Sequence, residues 1–186
     1  MKTHSQRLKI WETVSGCLLY TLHAHNAPLT CLAIDEKANM LYSSCEEGIV
    51  CWWQLSNGEL VRSTEDPFGY AVELAMTKEN LLGLGADRQL SVWNRESGQL
   101  ITRMALETNL AESPLLERRF IVSLSDQIVV TAQGNMVSFW DLGYKALIKE
   151  VAIGAIDGLS AAPDRSVFVI SANNIYKISV PVVRLK

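Results

Sequence analysis

Four short segments of this chain share one frame: Lys9-Ile10-Trp11, Cys51-Trp52-Trp53, Ser91-Val92-Trp93 and Ser138-Phe139-Trp140. A fifth, weaker copy is centred on Ile175-Tyr176-Lys177. Successive aromatic positions lie 42, 40, 47 and 36 residues apart. A period of about 40 residues cannot be an accident of composition, and it constrains the fold more than any single motif. Each copy must be one supersecondary unit that buries its apolar faces only by stacking on its neighbours.

The frame extends past the tryptophan. Five residues on come Gly16, Gly58 and Gly98, each after a polar residue: Ser15, Asn57 and Ser97. Such pairs mark tight turns, because glycine adopts positive φ without steric cost. Each Trp strand therefore turns sharply into another, such as Leu18 to Leu22 or Leu100 to Met104. The fourth copy departs here, with Gly143-Tyr144-Lys145. Upstream of each Trp strand lie an apolar strand, a polar turn and a further short strand. The turns are Asp35-Glu36-Lys37, Lys78-Glu79-Asn80, Ser125-Asp126 and Pro163-Asp164-Arg165. Four short strands per period, evenly punctuated, are the pattern of a propeller blade. The strongest helical stretch, Leu106 to Arg119, is interrupted by Pro114.

This frame resembles the WD40 family. One unit keeps nearly the whole family pattern, with Ala24-His25, then Ser43-Ser44-Cys45-Glu46-Glu47-Gly48, then Trp53. The resemblance implies a buried hydrogen-bonded tetrad of His25, Ser43, Glu47 and Trp53. Glu47 stands where the family has Asp. Asp87 keeps the acidic position before Trp93, but no His precedes that unit, and Gly134 takes the acidic position before Trp140. At most one complete tetrad is expected. The fold class is all-β: a partial WD40 β-propeller of about four and a half four-stranded blades over residues 1–186, the C-terminal portion of a larger ring or a shortened gene model. An open arc is expected to expose apolar blade faces.

The stretch Gly134 to Tyr144, and the ending Ser179-Val180-Pro181-Val182, look like the final blade of sterol regulatory element-binding protein cleavage-activating proteins. The resemblance is best over residues 133–186 and looser over 80–100. It implies a cytosolic propeller at the endoplasmic reticulum and Golgi membrane, part of a larger membrane protein with a sterol-sensing region upstream. The implied partner is the C-terminal regulatory domain of the sterol regulatory element-binding protein precursor. Otherwise the chain is expected to be a cytoplasmic scaffold or adaptor, such as a ubiquitin-ligase substrate receptor or a vesicle-coat subunit.

Composition narrows the function classes. Seventeen Lys/Arg against 20 Asp/Glu give a net charge of −3, a poor balance for neutralising phosphates, so no nucleic-acid partner is expected. No apolar run of about 18 residues exists, so no insertion into a bilayer is expected from this segment. The run Cys17 to Leu22 is too short for a signal-peptide core. Cys17, Cys31, Cys45 and Cys51 form no CxxC pair and read as reduced thiols. His23-Ala24-His25 has no third metal ligand nearby. Gly83-Leu84-Gly85 lacks the third glycine and the following helix of a dinucleotide site. No pair of acids is placed for acid–base work. The expectation is a non-catalytic module with no cofactor, no metal and no small-molecule site. Its partner is expected on the face that carries the tetrad. Phe68, Tyr70, Arg88, Arg118 and Arg119 are the candidate contacts, being aromatic and Arg anchors in loops. The long 47-residue spacing is assigned to an insertion at Ala105 to Arg119.

Overall fold

The computed structural model describes residues 6–66, 69–106 and 118–180. Seventeen strands and no helix occur among these residues. They form successive antiparallel sheets, each a consecutive run of the chain. The first has two strands, β1 (Gln6–Trp11) and β2 (Leu18–His25). The second is β3 (Leu29–Asp35), β4 (Met40–Cys45), β5 (Ile49–Gln54) and β6 (Leu60–Glu65). The third is β7 (Ala71–Met76), β8 (Asn80–Gly85), β9 (Gln89–Asn94) and β10 (Leu100–Ala105). The fourth is β11 (Arg119–Ser123), β12 (Ile128–Gln133), β13 (Met136–Asp141) and β14 (Ala146–Ala152). The fifth has three described strands, β15 (Ile156–Ala161), β16 (Ser166–Ser171) and β17 (Asn174–Ser179). The innermost strands β3, β7, β11 and β15 follow one another side by side, which makes these sheets blades of a propeller.

The register repeats with the sequence. Trp11, Trp53, Trp93 and Trp140 pair with Leu18, Leu60, Leu100 and Leu147 on the next strand, each beside a bulge. Gly16, Gly58 and Gly98 then take φ of 68°, 71° and 70°, as the tight turns require. In the fourth blade Lys145 occupies that position at φ 53°. The turn needs the left-handed conformation, and here an ordinary residue supplies it. The fifth blade corrects the sequence alignment. Val129 pairs with Trp140, and its counterpart Val167 pairs with Ile178. Ile178, not Tyr176, thus stands in the tryptophan's place. Strand residues alternate faces, so a shift of two preserves the pattern and the aromatic side chain misleads.

There is no single core. Apolar slabs lie between successive blades, so the second, third and fourth blades are covered on both sides. Leu22 packs with Leu41, Cys51 and Trp53. Tyr42, Val50 and Trp52 pack with Leu74, Leu81 and Trp93. Leu82, Leu84 and Leu90 pack with Ile121, Val129 and Trp140. Val130 and Phe139 pack with Val167 and Val169. Trp52 and Trp53 point to opposite sides of one blade and serve two slabs.

Contacts at the rim fit neighbouring blades together. A Cβ on Gly58 would lie 2.7 Å from the Tyr20 ring, and one on Gly98 would lie 2.7 Å from Arg62 Cδ. Tyr20 also donates its hydroxyl to Ser56 O at 2.6 Å. Between the second and third blades Arg95 joins four groups. It donates to Tyr42 Oη at 3.0 Å and to the Thr77 and Lys78 carbonyls at 2.8 and 3.2 Å, and it is ion-paired with Asp35. Trp52 Nε1 donates to the Arg95 carbonyl at 3.1 Å.

Candidate protein-interaction face

One face of the arc carries the links between blades and the hairpins that precede each Trp strand. They touch through backbone hydrogen bonds: Glu46 N to Pro28 O at 3.0 Å, Ala86 N to Tyr70 O at 3.3 Å and Leu106 N to Arg88 O at 3.0 Å. Each of these hairpins is thereby tied to a link that enters or leaves its own blade.

Beneath that surface in the second blade, the structure brings His25, Ser43 and Trp53 together. Trp53 Nε1 donates to Ser43 Oγ at 2.9 Å, and His25 Nε2 lies 2.6 Å from the same oxygen. All three residues are buried. Burial holds the His25 pKa below its ordinary 6.5, because the charged form would lose its water. Glu47 is a correction to the expected tetrad. It is exposed, and His25 Nδ1 has no hydrogen-bond partner among the described residues. Gly48 N bonds back to Cys45 O at 2.9 Å, so Glu46 and Glu47 are the two corners of a tight turn. Corner side chains project outward, away from the imidazole.

The fourth blade keeps part of this arrangement, with Trp140 Nε1 donating to Thr131 Oγ1 at 2.8 Å. The third blade does not. Gly83 holds the position of Ser43 and Thr131, and a Cβ there would lie 2.7 Å from Trp93 Cζ3. The indole ring fills the space of the missing side chain, and its N–H, though buried, has no partner among the described residues. A charged network lies nearer the loops instead. Ser91 Oγ donates to Asp66 Oδ2 at 2.6 Å and accepts from Arg103 Nε at 3.0 Å. Arg103 Nη2 donates to Asp87 Oδ2 at 3.0 Å. Sequence reasoning missed this network. Its signal was available: a Gly in the hydroxyl position and a carboxylate, Asp66, just before the blade where a His was absent.

The candidate contact residues divide into three groups. Tyr70 and Arg88 are half-buried beside the Gly85–Arg88 hairpin, and Arg118 is exposed. Arg88 holds a φ of 62°. Arg119 instead braces the hairpin, with Nη1 donating to the Gly85 and Ala86 carbonyls at 2.8 and 2.7 Å. Phe68, and residues 107–117 of the expected insertion, lie outside the described residues. Burial pushes the Cys31 and Cys51 thiols up to about 12, so neither is a nucleophile at neutral pH. No helix among the described residues is long and apolar enough to cross a membrane.

No family model matches the chain. Over 168 residues it is 27% identical to the sterol regulatory element-binding protein cleavage-activating protein of Xenopus laevis, covering 90% of this chain and 12% of that protein. Over 131 residues it is 23% identical to the COMPASS component SWD3 of Saccharomyces cerevisiae, covering 67% of this chain and 41% of that one. The chain thus spans less than half of either relative. Among solved structures, the Cps50 (Swd1) β-propeller domain of Myceliophteria thermophila superimposes with a TM-score of 0.72 at 15% identity, covering 97% of this chain and 61% of that one. The computationally designed Ika8 protein gives 0.68 at 20% identity, covering 92% and 52%. The chain has a WD40-type β-propeller fold and is similar in sequence to the sterol regulatory element-binding protein cleavage-activating protein.

Proposed function

We propose that the chain is a non-catalytic protein-interaction platform whose partner binds the face bearing Tyr70, the Gly85–Arg88 hairpin and Arg118. The observation that carries this reading is the bracing of that hairpin. Arg119 and Arg103 tie it down. The guanidinium groups of Arg88 and Arg118 have no hydrogen bond or ion pair among the described residues. Arg88 takes the left-handed turn position that Gly48 holds in the second blade, so the hairpin sets where its side chain leaves the backbone. Arginines and aromatics held this way lose little entropy on binding.

The partner we favour is the regulatory domain of the sterol regulatory element-binding protein precursor, met at the cytosolic face of the endoplasmic reticulum or Golgi membrane. The support is the likeness that runs over 90% of this chain. A second reading, a scaffold in another assembly, is supported by the likeness to a COMPASS component. The test is capture of the purified regulatory domain by this propeller, with and without Arg88→Glu and Arg118→Glu together. The double reversal is expected to weaken binding at least tenfold, about 1.4 kcal/mol. Unchanged binding with loss on mutating the opposite face would reject the assigned face. No binding by the unaltered protein would reject the partner in favour of the second reading.

A further inference from the structure

At the ends of the inner strands away from the interaction face, the turns after β3, β7, β11 and β15 surround a cavity of about 760 Å³. Four successive blades therefore share one hollow. Met76 and Leu124 give it an apolar wall, and Lys37, Lys78 and Arg165 stand around it, one each from the second, third and fifth blades. Its lining also holds Arg95, against the acids Asp35, Glu36 and Asp126. The cavity is thus locally positive in a chain whose net charge is −3.

Two of its acids are engaged, and three of its cations are not. Asp35 is ion-paired with Arg95, and Asp126 Oδ1 accepts from Lys78 N at 2.7 Å. The remaining acid, Glu36, is exposed. The side chains of Lys37, Lys78 and Arg165 have no hydrogen bond or ion pair among the described residues. The backbone beneath them is held. Arg95 bonds to Asp35 and to the Thr77 and Lys78 carbonyls, and Lys78 N to Asp126, which ties together the turns of the second, third and fourth blades. Arg165 N donates to Ala162 O at 3.1 Å and closes the fifth blade's turn at φ 61°.

Three long cationic side chains on fixed turns therefore reach one space from different blades. A carboxylate is planar and singly charged. A phosphate monoester carries close to two charges, on three acceptor oxygens that point apart. Donors arriving from three blades match the second anion, and Lys and Arg are its usual partners. A hollow of this volume also has room for the chain that carries the phosphate, with an apolar neighbour against Met76 and Leu124. We propose that the cavity receives a phosphorylated serine or threonine side chain of a second protein, with Lys37, Lys78 and Arg165 holding the phosphate. This site is independent of the face bearing Arg88 and Arg118.

The test is fluorescence anisotropy of the 186-residue chain with a degenerate pool of short labelled peptides, each carrying one phosphoserine beside one apolar residue. Saturable binding is expected, roughly tenfold or more tighter than for pools with serine or glutamate in that place. Lys78→Glu and Arg165→Glu should each weaken it roughly tenfold or more, with the fold checked by circular dichroism. Arg165→Lys should keep most of the binding, and Arg88→Glu with Arg118→Glu should leave it unchanged. An absence of saturable binding, equal binding of the serine or glutamate pool, or displacement by inorganic phosphate as effective as by unlabelled phosphopeptide would overturn the proposal. So would a loss confined to the Arg88 and Arg118 variant.

Discussion

The second and third blades share a register, a bulge and a tryptophan, and they fill the space around it in different ways. In the second, Ser43 offers a hydroxyl to the indole and His25 approaches the same oxygen. In the third, Gly83 removes that hydroxyl, the indole carbons move into its place, and the polar groups are gathered around Asp66 and Arg103. Both tryptophans end up at most 2% exposed. The blade frame therefore depends on strand pairing and indole burial. The hydrogen bonds beneath the face are one of at least two ways of completing it.

The largest expected effect tests the common part. Trp53→Ala and Trp93→Ala should each cost about 3–5 kcal/mol, because both remove a buried ring and leave a cavity. Urea unfolding of the two variants would measure it. A large loss for Trp53 alone would mean that the triad, not burial, sustains the frame.

Gly83→Ser should be destabilising by about 1–3 kcal/mol, even though it offers the indole an acceptor. The new Cβ would meet Trp93 Cζ3 and Cη2 at 2.7 and 2.8 Å. A rise in the unfolding midpoint would show instead that the third blade is limited by its unpartnered N–H.

Replacing each tryptophan by phenylalanine separates the hydrogen bond from the burial. Trp53→Phe should cost about 1 kcal/mol more than Trp93→Phe, since only the former breaks a buried hydrogen bond. Equal losses in a calorimeter would remove the distinction between the two blades.

The smallest effect is in pH. His25 has a lowered pKa in the folded state, so the unfolded chain binds its proton more readily. The contribution of neutral His25 is complete above the unfolded value near 6.5 and is lost progressively as pH falls below it. His25→Gln should flatten the part of the stability profile just below that pH. An unchanged profile would relocate the titration to another group.

How much of this could be read from residues alone follows from the range of each interaction. The strands were legible because the Trp, the turn five residues later and the alternation between them are local. The meeting of His25, Ser43 and Trp53 was legible through the family pattern. Glu47 was misplaced because a spacing does not say which way a turn corner points. Tyr176 was taken for Ile178 because alternation is blind to a shift of two. The Asp66–Ser91–Arg103 network was not read at all. Its members come from a loop and two different strands, and only the folded register brings them within hydrogen-bond distance. The guanidinium of Arg95 was equally silent, since its partners lie as far off as Asp35.

The fit of Tyr20 over Gly58 and of Arg62 over Gly98 has a consequence for how repeats can be exchanged. A repeat moved alone would leave half of each fit behind, because that half belongs to the neighbouring repeat. A unit carrying an ordinary residue at the turn, as Lys145 is, would bring a Cβ to 2.7 Å from the Tyr20 ring or Arg62 Cδ. The heritable module is therefore out of phase with the visible blade. It runs from the outer strand of one sheet to the turn of the next.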